Sequence, residues 1–368
     1  MGEIRVFQES DIPEVAALDL TVFRKRAGRA GRDLEDYFRQ ILLENPWRDE
    51  EIRSLVYLHD GRIVAFVGVF PRKMAFRKRV IRVAVITQLM ADPKAYRGFA
   101  GIELLRRVFQ GPQDLTITDG ATEPGCTAWR AAGGSVSQLY SLQWRRVLRP
   151  AMYLRSLLQE RKQNPTFRAV AKVLTPAFRF GDLLAAKLPF RALSPPRTDF
   201  CNDLVGPDDL LQAIHEVGWK DTLGPVYEPI PFRWLMSEVS AARIHGNLRM
   251  AVVRDLHGKT VGWYVYFARD GQDSAVLQIG AKARHFDQVF LALVHEARQQ
   301  GATAISGQAI PRYLYSLSLQ HCTLRYDGSG FLVYTRDEQL LKCILEGDAA
   351  FSRLDGEWWM RFTVENWS

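Results

Sequence analysis

Cysteine is scarce in this chain of 368 residues, and its four copies lie far apart, at Cys126, Cys201, Cys322 and Cys343. No two of them have the spacing of a zinc or redox motif, and none belongs to a cluster of cysteine and histidine. The pattern predicts reduced thiols and argues against a disulfide framework or a structural zinc site. We therefore expect no bound metal.

Long hydrophobic runs are also missing. No apolar stretch approaches the roughly 18–20 residues that a membrane-spanning helix needs. The N-terminus, MGEIRVF, is strand-like and lacks the apolar core of a signal peptide. The sequence therefore predicts a cytoplasmic protein.

Several motifs of well-known enzyme classes are absent. The chain has no GxSxG, Walker, Rossmann or HxxxD pattern, and its seven histidines do not cluster. These absences argue against a serine hydrolase, a P-loop enzyme and a dinucleotide-binding enzyme.

Basic residues exceed acidic ones by 49 to 41, which gives a formal net charge of +8. This balance favours an anionic partner, such as the phosphates of a cofactor, a nucleic acid or an anionic membrane surface. Charge alone does not choose among these three.

The first half of the sequence alternates between the strand and helix periodicities, which predicts an α/β fold with a mixed sheet. Asp60-Gly61 lies between two apolar runs and is typical of a β-hairpin turn. The predicted strands are residues 4–7, 54–58, 63–70, 80–90, 115–119 and 138–147, and the predicted helices are residues 11–20, 33–43, 102–109 and 122–132.

The second half repeats this order more faintly. The turn at 256–259 resembles the one at 59–62, about 200 residues earlier, which indicates a degenerate duplication with two domains. The predicted helices are residues 207–216, 231–242, 286–300 and 312–320, and the predicted strands are residues 249–254, 260–267, 274–281, 302–308 and 330–334.

A basic segment joins the two halves. Residues 149–199 contain ten basic and three acidic side chains, interleaved with apolar ones and interrupted by prolines. The pattern predicts short helices that act as a linker, or a basic face that contacts an anionic membrane or a polyanion.

The most specific stretch follows the predicted strand at 80–90. Arg97-Gly98-Phe99-Ala100-Gly101 leads directly into an amphipathic helix. The free N–H groups at a helix N-terminus bind anions, and glycine lets the backbone approach a phosphate closely. The turn resembles the pyrophosphate loop of the GNAT superfamily of acyl-CoA-dependent N-acyltransferases, and the element order of residues 1–149 is similar to theirs.

The resemblance implies two GNAT-like domains in tandem, the second one degenerate. The domains would be residues 1–149, which bind acyl-CoA, and residues 200–368, which include a C-terminal tail. Residues 150–199 would form the basic helical linker. At the place of the loop the second half reads Ile279 to Phe286 with one glycine, so we expect it not to bind CoA.

The same resemblance assigns the donor contacts. Leu89, Met90 and Ala91 would pair through their backbone with the pantetheine arm of acetyl-CoA or another acyl-CoA. Arg97, Gly98, Phe99, Ala100 and Gly101 would surround the pyrophosphate.

The resemblance identifies the residues that transfer protons less directly than the donor contacts. Trp129 stands where the family often has the tyrosine that protonates the leaving thiolate, and indole is no practical acid. Tyr140 is then a candidate acid. Asp119 and Glu123, at the carboxyl end of the predicted strand at 115–119, are candidate bases for the amine, although Asp119-Gly120 is also ordinary turn chemistry.

The predicted function is transfer of an acyl group, acetyl in the first instance, from acyl-CoA to a primary amine of a small molecule or sugar by direct attack. One alternative is a FemABX-like transferase that uses aminoacyl-tRNA, the only case in which a nucleic acid partner is expected. Another is a non-catalytic GNAT-like binding protein. Residues 150–199 add peripheral contact with an anionic membrane as a further expectation.

Overall fold

The computed structural model describes residues 2–23, 32–92, 99–161, 201–219, 222–282 and 284–360. Its strands, in chain order, are β1 (Gly2–Val6), β2 (Leu55–His59), β3 (Arg62–Phe76), β4 (Arg79–Ala91), β5 (Leu115–Ala121), β6 (Ser135–Ser137), β7 (Leu142–Val147), β8 (Cys201–Leu204), β9 (Gly224–Pro225), β10 (Asn247–Arg254), β11 (Thr260–Ala268), β12 (Asp273–Ala281), β13 (Ala304–Gln308), β14 (Thr323–Tyr326) and β15 (Gly330–Tyr334). Its α-helices are α1 (Ile12–Val22), α2 (Arg32–Leu42), α3 (Ala100–Phe109), α4 (Glu123–Ala132), α5 (Pro150–Arg161), α6 (Pro207–Val217), α7 (Pro229–Ala241), α8 (Phe286–Gln299), α9 (Leu314–Leu319) and α10 (Glu338–Leu345).

These elements form two compact units, and each unit takes segments from both halves of the sequence. Unit 1 consists of residues 1–141, 219–239 and 327–368, and unit 2 of residues 142–218 and 240–326. The predicted α/β class with mixed sheets is confirmed, because each unit is built on one mixed sheet. The division into domains at residues 149 and 199 stays a prediction.

The sheet of unit 1 has the order β1-β2-β3-β4-β5-β15-β6, and β9 pairs with β3. Of its pairs only β4 with β5 is parallel. The predicted hairpin between β2 and β3 is confirmed. Asp60 and Gly61 have φ angles of +49° and +77°, as the two central residues of a type I′ turn require.

The sheet of unit 2 has the order β14-β7-β13-β12-β11-β10-β8, with β12 and β13 as its parallel pair. In each sheet the strand beyond the parallel pair comes from the other half of the sequence: β15 in unit 1 and β7 in unit 2. The strand expected over 138–147 is found only over β7, from Leu142, in unit 2, and the separate strand β6 precedes the predicted range and belongs to unit 1. The shared order is what a duplication would produce, and the duplication stays a prediction.

The sheet of unit 1 is covered on one face by α3 and α4. Leu104, Leu105 and Val108 of α3 pack on Val67 and Val69 of β3 and their neighbours. In unit 2, α8 packs its apolar face on the sheet in the same manner. No helix among the described residues is both long and apolar enough to cross a membrane. The first part of the predicted basic linker, residues 150–199, is α5, and the rest of it, from residue 162, lies outside the described residues.

Trp129, which stands at the expected tyrosine position, is a packing residue. Its indole is buried, donates a hydrogen bond of 3.0 Å to the carbonyl oxygen of Val333 and contacts the ring of Phe109 edge-on. Gly134 lies so close to the indole that a Cβ atom there would overlap it. The residue thereby fixes α4 against β15.

Replacing Trp129 tests this role. Trp129→Phe keeps an aromatic ring but leaves the Val333 carbonyl without its donor, so the free energy of unfolding should fall by about 1–3 kcal/mol. Trp129→Ala removes the ring as well and should cost about 3–5 kcal/mol. Urea unfolding of both variants measures these losses, and a Trp129→Ala protein as stable as the wild type would contradict the packing role.

Candidate active site

The sheet of unit 1 opens between β4 and β5. The two strands pair in parallel only from Val83 with Leu115 to Val85 with Ile117. Beyond that point β4 continues to Ala91 and β5 to Ala121 without pairing with each other. Ligands of open α/β sheets bind at the carboxyl ends of the strands, so this opening, the β4–β5 gap, is the candidate active site.

A β-bulge in β4 lies at the gap. Phe66 faces Met90 and Gly68 faces Thr87, so β4 has one residue more than β3 between these pairs. Gln88 lies in this bulge and has a left-handed backbone conformation, with φ of +49°. Gly68 permits the close approach, because a Cβ there would lie 2.8 Å from the carbonyl oxygen of Thr87. The bulge turns the backbone of Gln88 out of the β3 ladder.

The predicted pantetheine contacts lie on this part of β4. Met90 is buried opposite Phe66, Ala91 lies opposite Ala65, and Leu89 packs against the core. Their β5-facing side has no strand partner among the described residues, since the pairing of β4 and β5 stops at Val85. The backbone of this stretch is therefore available to a ligand in the gap.

Helix α3 begins close to the end of β4. Phe99 is its N-cap residue, and no side-chain hydrogen bond caps the helix at this position. A Cβ on Gly101 would lie 3.9 Å from Cδ1 of Leu89, which places the first turn of α3 beside the gap. Phe99 is 61% exposed, and Ala100 is buried. Arg97 and Gly98 of the predicted loop lie outside the described residues.

Asp119 is buried at the end of β5, next to the gap. Its Oδ1 accepts a hydrogen bond of 2.5 Å from the backbone N–H of Glu357, and its Oδ2 has no hydrogen-bond partner among the described residues. Burial, and then the negative charge of Glu357, raise the pKa of Asp119 to about 7, while Arg353 acts in the opposite direction. The carboxyl group can therefore hold or release a proton near neutral pH.

Glu357 supplies a second carboxyl group, inside the gap itself. Its Oε1 accepts from Oγ1 of Thr118 on β5 at 2.7 Å, and its Oε2 accepts from the N–H of Gln88 on β4 at 3.3 Å. Burial raises the pKa of Glu357 to about 7. No motif in the sequence marks this residue. The adjacent Trp358-Trp359 pair, in a segment without periodicity, was the one local sign that this tail is packed rather than free.

The tail is anchored by a buried ion pair. Residues 352–360, the C-terminal segment, hold Asp355 at 3.3 Å from the guanidinium of Arg72, which lies over the ring of Trp47. Oδ1 of Asp355 also accepts from the hydroxyl of Tyr227, and its Oδ2 accepts from Ser352. Burial raises the pKa of Asp355 even so. These contacts fix the backbone two residues before Glu357.

The two other predicted proton-transfer residues have different surroundings. The Glu123 side chain is 73% exposed in the first turn of α4, 3.9 Å from Arg130. Tyr140 is completely buried, and its hydroxyl both donates to and accepts from the backbone of Ala349, at 2.7 Å in each case. These hydrogen bonds give Tyr140 a structural role, and its role as an acid stays a prediction.

A cavity of about 380 Å³ lies elsewhere in unit 1. Its walls combine apolar residues, such as Phe7 and Val69, with charged residues of both signs, such as Arg39 and Asp49. None of the residues of the β4–β5 gap lines it. The cavity therefore belongs to a separate part of the unit.

Unit 2 has a corresponding interruption that is filled. Strand β12 runs to Ala281, but it pairs with β13 only as far as Val276. The hydroxyl of Tyr313 donates to the carbonyl oxygen of Ala281, and its ring stacks at 3.9 Å on Phe286, the first residue of α8. In unit 2 two stacked aromatic rings therefore lie at the start of α8, next to the end of β12. Whether unit 2 binds CoA stays a prediction.

The raised pKa of Asp119 makes stability depend on pH. Between its ordinary value of 3.8 and about 7, the folded state keeps a proton that the unfolded chain releases, so this stabilisation is lost as the pH rises. Asp119→Asn carries no such proton. Between pH 5 and pH 8 its free energy of unfolding should therefore rise relative to the wild type by about 1–3 kcal/mol.

Urea unfolding at both pH values measures this difference. Asp60→Asn is the control, because Asn tolerates the positive φ at this exposed turn position and should keep the wild-type pH dependence. Parallel pH profiles of Asp119→Asn and wild type would contradict the raised pKa.

Comparison with known proteins agrees with this geometry. Residues 3–114 match the family model of the GNAT acetyltransferase domain. Among solved structures, a GCN5-related N-acetyltransferase from Anabaena variabilis superposes with a TM-score of 0.58 and 12% identity, over 92% of this chain and 73% of that one. A GCN5-related N-acetyltransferase from Kribbella flavida gives 0.55 and 15%, over 91% and 71%. A conserved Enterococcus faecalis protein, named a probable N-acyltransferase, gives 0.57 and 12%, over 91% and 73%.

At these identities the likeness to solved structures concerns the fold. No curated protein matches the chain in sequence. The family model covers β1 to the loop before β5, including the bulge and the start of α3. Residues 3–114 thus match the model of a GNAT acetyltransferase domain, and the chain shares its fold with these N-acetyltransferase structures.

Proposed function

We propose that this protein is an N-acyltransferase that moves an acyl group, acetyl in the first instance, from acyl-CoA to a primary amine of a small molecule or sugar. The observation that carries the proposal is the β4–β5 gap beside the first turn of α3. Strand β4 and helix α3 lie within the stretch that matches the GNAT domain, and β5 follows it directly. An extended chain fits such a gap, and a phosphate fits such a helix end.

The donor would lie along β4. The backbone of residues 89–91 would pair with the amide groups of the pantetheine arm, in place of the missing ladder to β5. The pyrophosphate would lie at Phe99 to Gly101, where the first N–H groups of α3 and the positive end of the helix dipole would face it. Arg97 and Gly98 complete this loop in the sequence-based proposal.

The reaction would be a direct attack. A neutral amine forms a bond from its nitrogen to the thioester carbon, the carbon–sulfur bond breaks, and the thiolate leaves and takes up a proton. The amine must first lose a proton, and a carboxyl group with a pKa of about 7 suits that task near neutral pH; Asp119 and Glu357 are the two such groups described at the gap. Burial raises the pKa of Cys126, the thiol in α4, which makes it a poor nucleophile and favours a mechanism without a covalent intermediate.

The charge at the start of α3 tests the donor site. Phe99→Asp adds an N-cap that favours the helix but places a negative charge at the proposed pyrophosphate position. Phe99→Asn adds an equivalent cap without the charge. We expect the Kd for acetyl-CoA to rise at least about tenfold in Phe99→Asp, which corresponds to about 1.4 kcal/mol, and to stay within about threefold in Phe99→Asn.

Calorimetric titration with acetyl-CoA and a panel of longer acyl-CoAs provides the measurement. Equal Kd values for the Asp and Asn variants would contradict the proposed position of the pyrophosphate at the N-terminus of α3. A wild-type protein that binds no acyl-CoA of the panel would contradict the proposed function. Binding of aminoacyl-tRNA instead, with a steep loss of affinity on adding salt, would favour the FemABX-like alternative.

A further inference from the structure

We propose that Glu357 accepts the proton of the attacking amine, and that Asp119 is a positioning residue that holds Glu357 in the β4–β5 gap. The inference rests on the proposed function and adds to it a residue far outside the GNAT-matched stretch. It assigns a role in the reaction to the C-terminal segment, which sequence reasoning left as a tail.

The position of the carboxylate is the first argument. Its two oxygens accept hydrogen bonds from the two separated strands, from Thr118 on β5 and from the bulge residue Gln88 on β4. Glu357 therefore lies where the ladder between β4 and β5 is interrupted. A thioester in the gap would have this carboxylate as its immediate neighbour.

Access is the second argument. Asp119 is only 6% exposed, and one of its oxygens is occupied by the N–H of Glu357. Glu357 is less buried as a residue than Asp119, and its carboxylate lies between the two strand ends that a ligand in the gap would contact. Asp119 lies against Gly356, where any Cβ would overlap its carboxyl group, and it therefore fixes the peptide that carries Glu357.

The electrostatic surroundings are the third argument. The charged groups near the pair are Asp119 on β5, Arg353 within the C-terminal segment, and Asp19 of α1, whose carboxylate accepts a bond of 3.4 Å from the Gln88 side chain. Two neighbouring carboxyl groups at low exposure do not both ionise readily, so one proton is retained near neutral pH. A base with a pKa near the working pH combines a large ionised fraction with strong proton affinity.

The proton balance of the step is complete. The ammonium form of the acceptor gives one proton to Glu357, and the resulting amine forms the new nitrogen–carbon bond. The thioester carbon–sulfur bond breaks, and its electron pair goes to the thiolate. The proton that the nitrogen loses on becoming an amide neutralises the thiolate, and Glu357 returns its proton to solvent.

The test compares Glu357→Gln with the exposed Glu346→Gln as a matched control from the same part of the chain. Release of CoA thiol from acetyl-CoA is followed with a panel of amino sugars, amino acids and polyamines, and with water as acceptor. We expect kcat of Glu357→Gln to fall by about 10²–10⁴-fold, as for loss of a general base, while the Kd for acetyl-CoA stays within about threefold. Glu346→Gln should behave as wild type.

The pH profile separates a chemical role from a structural one. In the wild type, kcat/KM should level off above about pH 7, whereas in Glu357→Gln the residual rate should keep rising with the fraction of neutral amine. Asp119→Asn removes a neighbouring negative charge, so the acid limb, the part of the kcat/KM profile that rises with pH, should shift to lower pH. Thr118→Val removes a hydrogen bond that lowers the pKa of Glu357 and should shift the limb to higher pH, even if Glu357→Gln fails to fold. Thr116→Val, two residues earlier on β5, should not shift it.

The outcomes separate the two proposals. Turnover within threefold of wild type in Glu357→Gln, or an unshifted limb in Thr118→Val, would overturn the role of Glu357 and leave the acyltransferase function intact. A wild-type protein that binds no acyl-CoA and releases no thiol with any amine or with water would instead overturn the proposed function.

Discussion

The parallel pairing of β4 and β5 ends at Val85 and Ile117, and the rest of unit 1 is arranged around this interruption. Two strand edges that separate inside a sheet expose backbone N–H and C=O groups, which cost free energy unless they find partners. The bulge at Gln88 turns one such N–H toward the gap, where the carboxylate of Glu357 accepts it. A ligand that supplies backbone-like amides would meet the same requirement, which is why such a gap favours the pantetheine arm of CoA.

The C-terminal segment can occupy the gap only because its own polar groups are satisfied nearby. A buried ion pair is destabilising unless further hydrogen bonds surround it. Around Asp355 these come from Arg72, Tyr227 and Ser352, and the ring of Trp47 lies against the guanidinium. The hydrogen-bonded pair of Asp355 and Arg72 fixes the backbone two residues before Glu357. It thereby helps to hold the Glu357 carboxyl group at a buried position where its pKa is raised.

Local patterns predicted the local elements well. The hairpin at Asp60-Gly61, the helix after Gly101 and the buried strand before Asp119 all follow from turn chemistry and from side-chain periodicity over a few residues. The exchange of β7 and β15 could not be predicted in this way. Strand pairing between segments about 160 to 220 residues apart depends on which edges remain unpaired after the local elements form. The short runs at 142–147 and 330–334 carry no sign of their partners.

The part of the candidate site that lies near the glycine turn in sequence was also predicted from local patterns. Asp119 and residues 89–91 are near the glycine turn in sequence, and the structure brings them to the gap. Glu357 is far away in sequence and follows no motif, so only the tertiary path of the tail reveals it. Tyr140 was chosen for its chemistry alone, but the backbone of Ala349 already satisfies its hydroxyl.

In both units the parallel pairing of two strands ends early, but the space beyond the paired residues is occupied by different side chains. This difference affects the free energy that a ligand needs in order to enter. In unit 2 the stacked rings of Phe286 and Tyr313 close the space beside α8, and the Tyr313 hydroxyl satisfies the Ala281 carbonyl. A ligand would have to displace a buried aromatic pair and this hydrogen bond, which together contribute about 1–3 kcal/mol beyond the burial of the rings. In unit 1 the gap holds the Glu357 carboxylate, hydrogen-bonded to both strands, instead of an aromatic pair. The chemistry of the gap therefore favours unit 1 as the donor site, with Glu357 as the group that must accommodate the thioester.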